Sequence, residues 1–333
     1  MATAIIAILV FCALVFVHEL GHFVAAKMLG VRVLEFSIGM GTLVTQVTKG
    51  ETVYSLRAFP IGGYCKLEGE DEESTDDRAF NKKPAWARAL ILVAGSFMNI
   101  VTTIVILALI HTNAGIYSTV LDHVADGYPA YEAGLRQGDK IFSINEHPIR
   151  DWADVVESIS ESKNEYIVIG VLRDGAEVIV KSDTILNEEG RRVIGISPML
   201  VHTPLLGIRE AFRTTSYMMS AMGHFIVQLF SGKASSSDIV GPIGVVTIIG
   251  QQAKYGWLNV FHLMAMISLN LGIVNLLPFP ALDGGRMLFV VIRGLSGGRI
   301  SDELEATVHT IGMVLLLGLM VFLIFKDTMQ FIL

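Results

Sequence analysis

The chain has 333 residues, of which 52% are hydrophobic and only 17% are charged, and its mean hydropathy is +0.56. These values exceed those of a soluble domain of this length and indicate an integral membrane protein. A formal net charge of -7 argues against a basic surface for nucleic acid. The two cysteines, Cys12 and Cys65, do not form a disulfide framework.

The first apolar segment, residues 4–29, contains His18, Glu19 and His22 in the order HELGH. On a helix the two histidines lie four residues apart on one face, so both imidazoles can bind one metal with Glu19 beside its water. A soluble helix often carries this pattern as an ordinary polar face, but the flanking residues here are apolar. Each charged group at bilayer depth costs roughly 2 to 3 kcal/mol or more, so metal ligation is the favoured explanation.

Four segments are long and apolar enough to cross a bilayer, namely residues 4–29, 90–110, 257–277 and 308–325. Lys and Arg are frequent in the connection after the first segment and absent before it, which predicts an N-terminus outside and that connection in the cytoplasm. Residues 204–230 resemble a fifth span, but Arg209, Glu210 and Arg213 interrupt them and favour a helix on the membrane surface.

A second polar motif, NLLPFPALDGG at residues 275–285, ends the third predicted span. Its prolines break the helix and its glycine pair lets the backbone turn, so Asp283 can point back towards the first span. With four spans, the first and third run in the same direction and end in one leaflet. In isolation Asp283 is an ordinary turn aspartate; beside His18 and His22 it becomes a candidate third ligand, leaving a position for water as in catalytic zinc sites.

Three asparagines, Asn99, Asn270 and Asn275, lie in otherwise apolar segments. Such a residue commonly holds neighbouring helices together, and it can also bond a substrate backbone or an oxyanion. Of the three, we retain only Asn275 as a candidate substrate-binding residue.

The run AGLRQGDKIFSIN at residues 133–145 resembles the opening of a PDZ domain. Residues 151–160 would form its groove helix, and residues 166–173 and 178–181 later strands. A PDZ domain accepts an extended peptide as an added strand, so a peptide in this groove is one expected partner.

Between the first two spans, residues 31–67 have short β-prone runs separated by glycines, which predict a β-hairpin. Its edge could hold an extended substrate segment, or the hairpin could simply cover the site. Residues 68–77 form an acidic, solvated stretch, and residues 80–88 predict an interfacial helix.

The fold class is therefore an α-helical integral membrane protein with about four transmembrane helices, a cytoplasmic-side β-hairpin region and an inserted extracytoplasmic PDZ (α+β) domain. In chain order the predicted parts are the first transmembrane helix (1–30), the hairpin loop with its interfacial helix (31–88), the second transmembrane helix (89–112), the PDZ domain (113–200), an extracytoplasmic membrane-surface helical region (201–256), the third transmembrane helix (257–286), a cytoplasmic loop (287–306) and the fourth transmembrane helix (307–333).

Five motifs occur in order along the chain, and together they resemble the bacterial site-2 proteases of the regulator-of-sigma-E type. They are HELGH, GYCKLEGE at residues 63–70, one PDZ segment, GPIG at residues 241–244 and NLLPFPALDGG. The resemblance covers nearly the whole chain, with a single PDZ segment where some relatives have two.

This resemblance implies an intramembrane zinc metalloprotease of the bacterial inner membrane. His18, His22 and Asp283 would be the zinc (Zn2+) ligands, and Glu19 the catalytic carboxylate near the cytoplasmic leaflet. The substrates would be single-span membrane proteins, such as anti-sigma factors already trimmed outside, and remnant signal peptides.

Two other functions compete with this interpretation. A catalytically silent membrane scaffold could use the PDZ domain to recruit peptides, although it would not need to keep Glu19. A metal transporter could line its path with His and Asp, but it leaves the PDZ-like segment without a role.

Overall fold

The computed structural model describes residues 2–70, 74–162, 164–233, 235, 239–296 and 302–331. The helices are α1 (Ala2–Met28), α2 (Ala85–Ala114), α3 (Pro129–Glu132), α4 (Trp152–Ser160), α5 (Pro204–Phe230), α6 (Pro242–Lys254), α7 (Trp257–Asn275), α8 (Asp283–Leu295) and α9 (Asp302–Phe331). The strands are β1 (Val33–Lys49), β2 (Thr52–Leu67), β3 (Ile116–Val124), β4 (Lys140–Ile144), β5 (His147–Pro148), β6 (Tyr166–Arg173), β7 (Ala176–Asp183), β8 (Ile185–Leu186), β9 (Arg192–Val193) and β10 (Ile196–Val201).

The chain forms two compact units, one of Met1–Leu107 with Ala211–Leu333 and one of Ala108–Glu210. Within the described residues, four helical segments are long and apolar enough to span a membrane: Thr3–Met28, Ala85–Ala114, Trp257–Asn275 and Glu303–Gln330. These are the four predicted spans. Helix α5 has 27 residues but is not among these candidates, in keeping with the charges that interrupt its sequence.

Strands β1 and β2 pair antiparallel, as the hairpin prediction requires. Glu35 of β1 pairs with both Val53 and Lys66, so the last part of β2 folds back onto the other side of β1. Gly39 and Gly62 permit this bend because their φ angles, 82° and 87°, lie in the left-handed region that favours glycine. The base of the hairpin, including Val33 and Leu67, is buried in a cluster with residues of α1, α2 and α8.

Two predicted segments differ from the structure. The predicted interfacial helix at 80–88 is interrupted: Phe80–Lys82 forms a short 3-10 helix and residues 85–88 begin α2, because Pro84 disfavours a helical conformation at Lys83. The predicted loop at 287–306 instead contains most of α8. This helix is amphipathic: its apolar residues repeat with helical period, and its two arginines interrupt them. Residues 297–301 of that loop, and residues 71–73 of the acidic stretch, lie outside the described residues.

The GPIG segment begins α6, and a membrane helix caps it. Asp327 of α9 is fully buried and accepts hydrogen bonds from the backbone N–H groups of Gly241 (3.2 Å) and Gly244 (2.7 Å). A carboxylate at this position satisfies the unpaired donors of a helix N-terminus and interacts favourably with its dipole. The C-terminal part of α9 is thereby hydrogen-bonded to the N-terminus of α6.

The second unit is built on a sheet with strand order β10-β3-β4-β6-β7, with β5 paired to β4. Asp151 caps the N-terminus of helix α4, where its side chain accepts a hydrogen bond from the Asp154 N–H. The apolar faces of the helix and the sheet share one buried cluster, which includes Leu121, Ile141 and Ile169.

An ion pair with a buried carboxylate joins two neighbouring strands of this sheet, directly before the start of β4 and at the end of β6. The Asp139 side chain is 1% exposed and accepts two hydrogen bonds of 2.7 Å from the Arg173 guanidinium. Burial alone would raise the pKa of the Asp139 carboxyl, but the bonds from Arg173 and from the Arg136 N–H hold it below its usual range.

We expect Asp139→Asn to lower the free energy of unfolding of this sheet by about 1 to 3 kcal/mol at neutral pH. Because the pKa is lowered on folding, the carboxylate stabilises the fold above its unfolded pKa of about 4, and the stabilisation is lost as pH falls through the lower folded value. Hydrogen exchange of the β6 amides in the full chain measures the difference. Asp183→Asn, at an exposed site on β7, is the control. An undiminished difference between Asp139→Asn and wild type at pH 3 would contradict this assignment.

Candidate active site

Helix α1 brings His18, Glu19 and His22 to one buried place within the first span. The two histidines lie one turn apart, with their Nε2 atoms 3.2 Å from each other. Asp283 Oδ2 lies 3.1 Å from His18 Nε2 and 3.3 Å from His22 Nε2. Asp283 is at least 261 positions from either histidine in the chain, yet the three side chains present their metal-binding atoms to a single point.

The motif at 275–285 folds as a break between two helices. Helix α7 ends at Asn275, and α8 begins at Asp283. A Cβ on Gly284 would meet the carbonyl of Leu277, and one on Gly285 that of Phe279, so only glycine fits where α8 starts against this turn. The close approach of the turn to α8 fixes Asp283 at the first position of the helix, where the dipole favours a carboxylate.

Helix α2 forms the other wall of the site through small residues. A Cβ on Gly21 of α1 would meet Ala94 O and lie 2.7 Å from Ala94 C. A Cβ on Gly95 would meet His22 Nε2 and lie 2.8 Å from His18 Cε1. Such pairs of small residues allow membrane helices to approach closely, and here they also leave the space that the imidazoles occupy.

Both histidines have a partner on the ring nitrogen that faces away from Asp283. His22 Nδ1 lies 2.9 Å from Ile91 O, to which it donates, so its proton is on Nδ1 and its Nε2 lone pair is available. His18 Nδ1 lies 3.1 Å from the amide of Asn99, a fully buried residue whose Oδ1 is unpartnered among the described residues. Rotating this amide by 180° lets His18 Nδ1–H donate to Oδ1, which satisfies the oxygen and also frees His18 Nε2.

The last part of β2 runs beside Glu19. A Cβ on Gly63 would lie 3.6 Å from Glu19 Cγ, so the β2 backbone passes close to this side chain. Burial raises the pKa of the Cys65 thiol, and the nearby carboxylates of Glu19 and Glu70 raise it further. The Cys65 thiol is therefore protonated at neutral pH.

The three donor atoms fit a zinc ion. His18, His22 and Asp283 each offer one atom, and all three atoms lie within 4.8 Å of one another. Zinc bonds of about 2.0 to 2.1 Å in a tetrahedron place neighbouring ligand atoms about 3.3 Å apart, which agrees with the observed separations. Two imidazoles with one carboxylate are a donor set of catalytic zinc sites.

The model of peptidase family M50 matches residues 6–319. The chain belongs to peptidase family M50. It is 38% identical over 327 residues to a predicted zinc metalloprotease of Clostridium perfringens, with 97% of each chain covered. It is 29% identical to the regulator of sigma-W protease RasP of Bacillus subtilis, with 98% of each chain covered. This M50 peptidase is therefore a zinc metalloprotease, and its four apolar helices make it a multi-pass membrane protein.

A solved PDZ domain of an SdrC-like protein from Listeria monocytogenes is 21% identical, covers 26% of this chain and 87% of its own, and gives a TM-score of 0.22. The interpretation of the β-rich insert as a PDZ domain rests on its own motif and helix.

The structure brings all the predicted site residues of this M50 peptidase together. Asn275 Nδ2 lies 3.3 Å from His18 Nε2, so Asn275 also borders the site. The sequence analysis favours a site role only for Asn275, and it predicts neither the contact between Asn99 and His18 nor the space that Gly95 leaves for the imidazoles. The AGS run at residues 94–96 was the available signal, because small residues in a span indicate a close helix contact.

Gly95→Ala tests the packing around the imidazoles. We expect the purified variant to lose most of its zinc, because the added methyl group would displace His22 Nε2. Metal analysis of the protein measures this loss. Gly223→Ala is the control, since a Cβ there has open space. Full zinc content in Gly95→Ala would show that the imidazoles bind zinc elsewhere or not at all.

Proposed function

We propose that this M50 peptidase hydrolyses peptide bonds within the transmembrane segments of single-span membrane proteins. Pre-trimmed anti-sigma factors and remnant signal peptides are the substrate classes that we favour. The observation that carries the proposal is the convergence of His18, His22 and Asp283 beside Glu19, where the two histidines and Glu19 belong to the candidate membrane span Thr3–Met28. Polar groups are costly to hold among apolar helices, and a protease for soluble substrates would not need them there.

We assign His18, His22 and Asp283 as the zinc ligands and Glu19 as the general base and acid. Bound zinc would polarise the scissile carbonyl and lower the pKa of water. Glu19 would accept a proton from a water molecule as the water oxygen attacks the carbonyl carbon. It would then pass that proton to the amine nitrogen when the C–N bond breaks. The Asn275 amide, beside His18, would donate to the substrate carbonyl oxygen.

A helical substrate must unwind locally before it can be cut, because its peptide groups are hydrogen-bonded within the helix. The end of β2 passes Glu19 at Gly63, a position without a side chain. This backbone could hold an unwound segment as an added strand and present one carbonyl to the site.

Glu19→Gln tests the chemistry, and we expect it to slow cleavage by roughly 10²- to 10⁴-fold while zinc content is unchanged. The assay follows cleavage of a single-span protein in vesicles by the mass of its fragments. Glu303→Gln, at an exposed site on α9, is the control. A chelator should abolish wild-type cleavage and added zinc should restore it. Retained cleavage in Glu19→Gln with full zinc would remove Glu19 from the mechanism, and absence of any cleavage by the wild type would favour the silent scaffold.

We propose further that the insert is an extracytoplasmic PDZ domain that excludes substrates with large outer domains. The AGLRQGDKIFSIN motif and the capped helix α4 support this assignment. It requires the N-terminus outside and the active site near the cytoplasmic leaflet of the bacterial inner membrane.

Replacing residues 115–198 with a short linker tests this filter. We expect the shortened protein to cut untrimmed and trimmed substrates at similar rates, because nothing then limits access from outside. Comparison of the two cleavage rates with those of the full chain is the measurement. Unchanged discrimination would reject the filter, and equal cleavage of trimmed substrate would show that the shortened protein is active.

A further inference from the structure

The fourth span holds the turn that precedes Asp283. The Ala281 backbone N–H donates a hydrogen bond of 2.9 Å to His309 Nδ1 on α9. One turn further along α9, Gly312 is buried against Pro280, and a Cβ there would lie 2.7 Å from Pro280 C. His309 and Gly312 lie three residues apart and therefore share one helix face. That face of α9 therefore contacts both Pro280 and Ala281, the two residues at the bend of the turn.

These contacts are made where the backbone is strained. Ala281 has φ of 74°, a left-handed conformation that residues other than glycine rarely adopt. Such a conformation persists only where the surroundings hold it. Two residues later the chain enters α8 at Asp283, with Gly285 N and Arg286 N bonded to Leu282 O. The orientation of Ala281 therefore sets where α8 starts and where the Asp283 carboxylate points.

We propose that His309 and Gly312 are positioning residues that hold Asp283 at the metal. This inference rests on the proposed ligation of zinc by Asp283. The chemistry is specific to one atom: because a backbone N–H is the donor, Nδ1 must be the acceptor and the proton must be on Nε2. The ring also packs against Phe289 of α8, with centroids 5.5 Å apart. His309 thus touches both the turn and the helix that carries Asp283.

Two substitutions of His309 separate the hydrogen bond from the packing. In Asn the Oδ1 atom takes nearly the place of Nδ1, whereas Gln is closer to His in volume but places its acceptor near Nε2. We expect His309→Asn to keep zinc affinity within about threefold of wild type, and His309→Gln and His309→Leu to weaken it roughly 10- to 100-fold. Competition with a chromogenic chelator in the full chain measures the affinity. His262→Leu, at an exposed histidine of α7, is the control.

Two glycines of α9 form a second matched pair. Gly312→Ala would push against Pro280, whereas Gly318→Ala has open space. We expect Gly312→Ala to weaken zinc affinity by at least tenfold and Gly318→Ala to leave it unchanged.

The visible spectrum of the Co2+-substituted protein distinguishes displacement of Asp283 from loss of folded protein. Displacement should shift the bands of His309→Gln towards those of Asp283→Ala, whereas misfolding lowers their amplitude without moving them. Unmoved bands, equal affinities for the Asn and Gln variants, or an unaffected Gly312→Ala would each overturn the inference. If Asp283→Ala itself keeps wild-type affinity and bands, the proposed ligand set fails; if only Asp283→Ala changes, the role of His309 and Gly312 alone fails.

Discussion

The structure depends on one constraint: two imidazoles and a carboxylate must meet among apolar helices without leaving a charge unpartnered. Their donor atoms lie 3.1 to 3.3 Å apart, close enough to share a single cation. An isolated charged group at this depth would be costly, and the proposed ligation of one ion by all three groups would offset that cost. The neighbouring residues are arranged to permit this meeting.

Glycines provide the space in which the three side chains meet. Gly21 and Gly95 let α1 and α2 approach until the imidazoles fill the gap between them. Gly284 and Gly285 let α8 begin directly against the turn, which would otherwise push Asp283 away. The Ile91 carbonyl orients the ring of His22, and Asn99, with its amide rotated, does the same for His18, so that the nitrogen facing Asp283 is the one with a free lone pair.

Much of this arrangement was predictable from the sequence, because its signals are local. The spacing of His18 and His22 and the prolines of the NLLPFPALDGG motif determine their geometry within a few residues. The contributions of Asn99 and His309 were not predictable, since each acts on a residue at least 28 positions away and depends on how the helices pack. Most of helix α8 lies in residues predicted as a cytoplasmic loop, and the glycine pair at its start is required by close packing against the turn at 277–280. Sidedness, substrates and the metal ligands themselves stay predictions.

X-ray absorption spectroscopy of the zinc-loaded full-length protein tests the central claim most directly. The account predicts a zinc ion bound by two imidazoles and at least one further oxygen donor, without sulfur. A sulfur donor, from Cys65 or Cys12, or a signal from fewer than two imidazoles would contradict it.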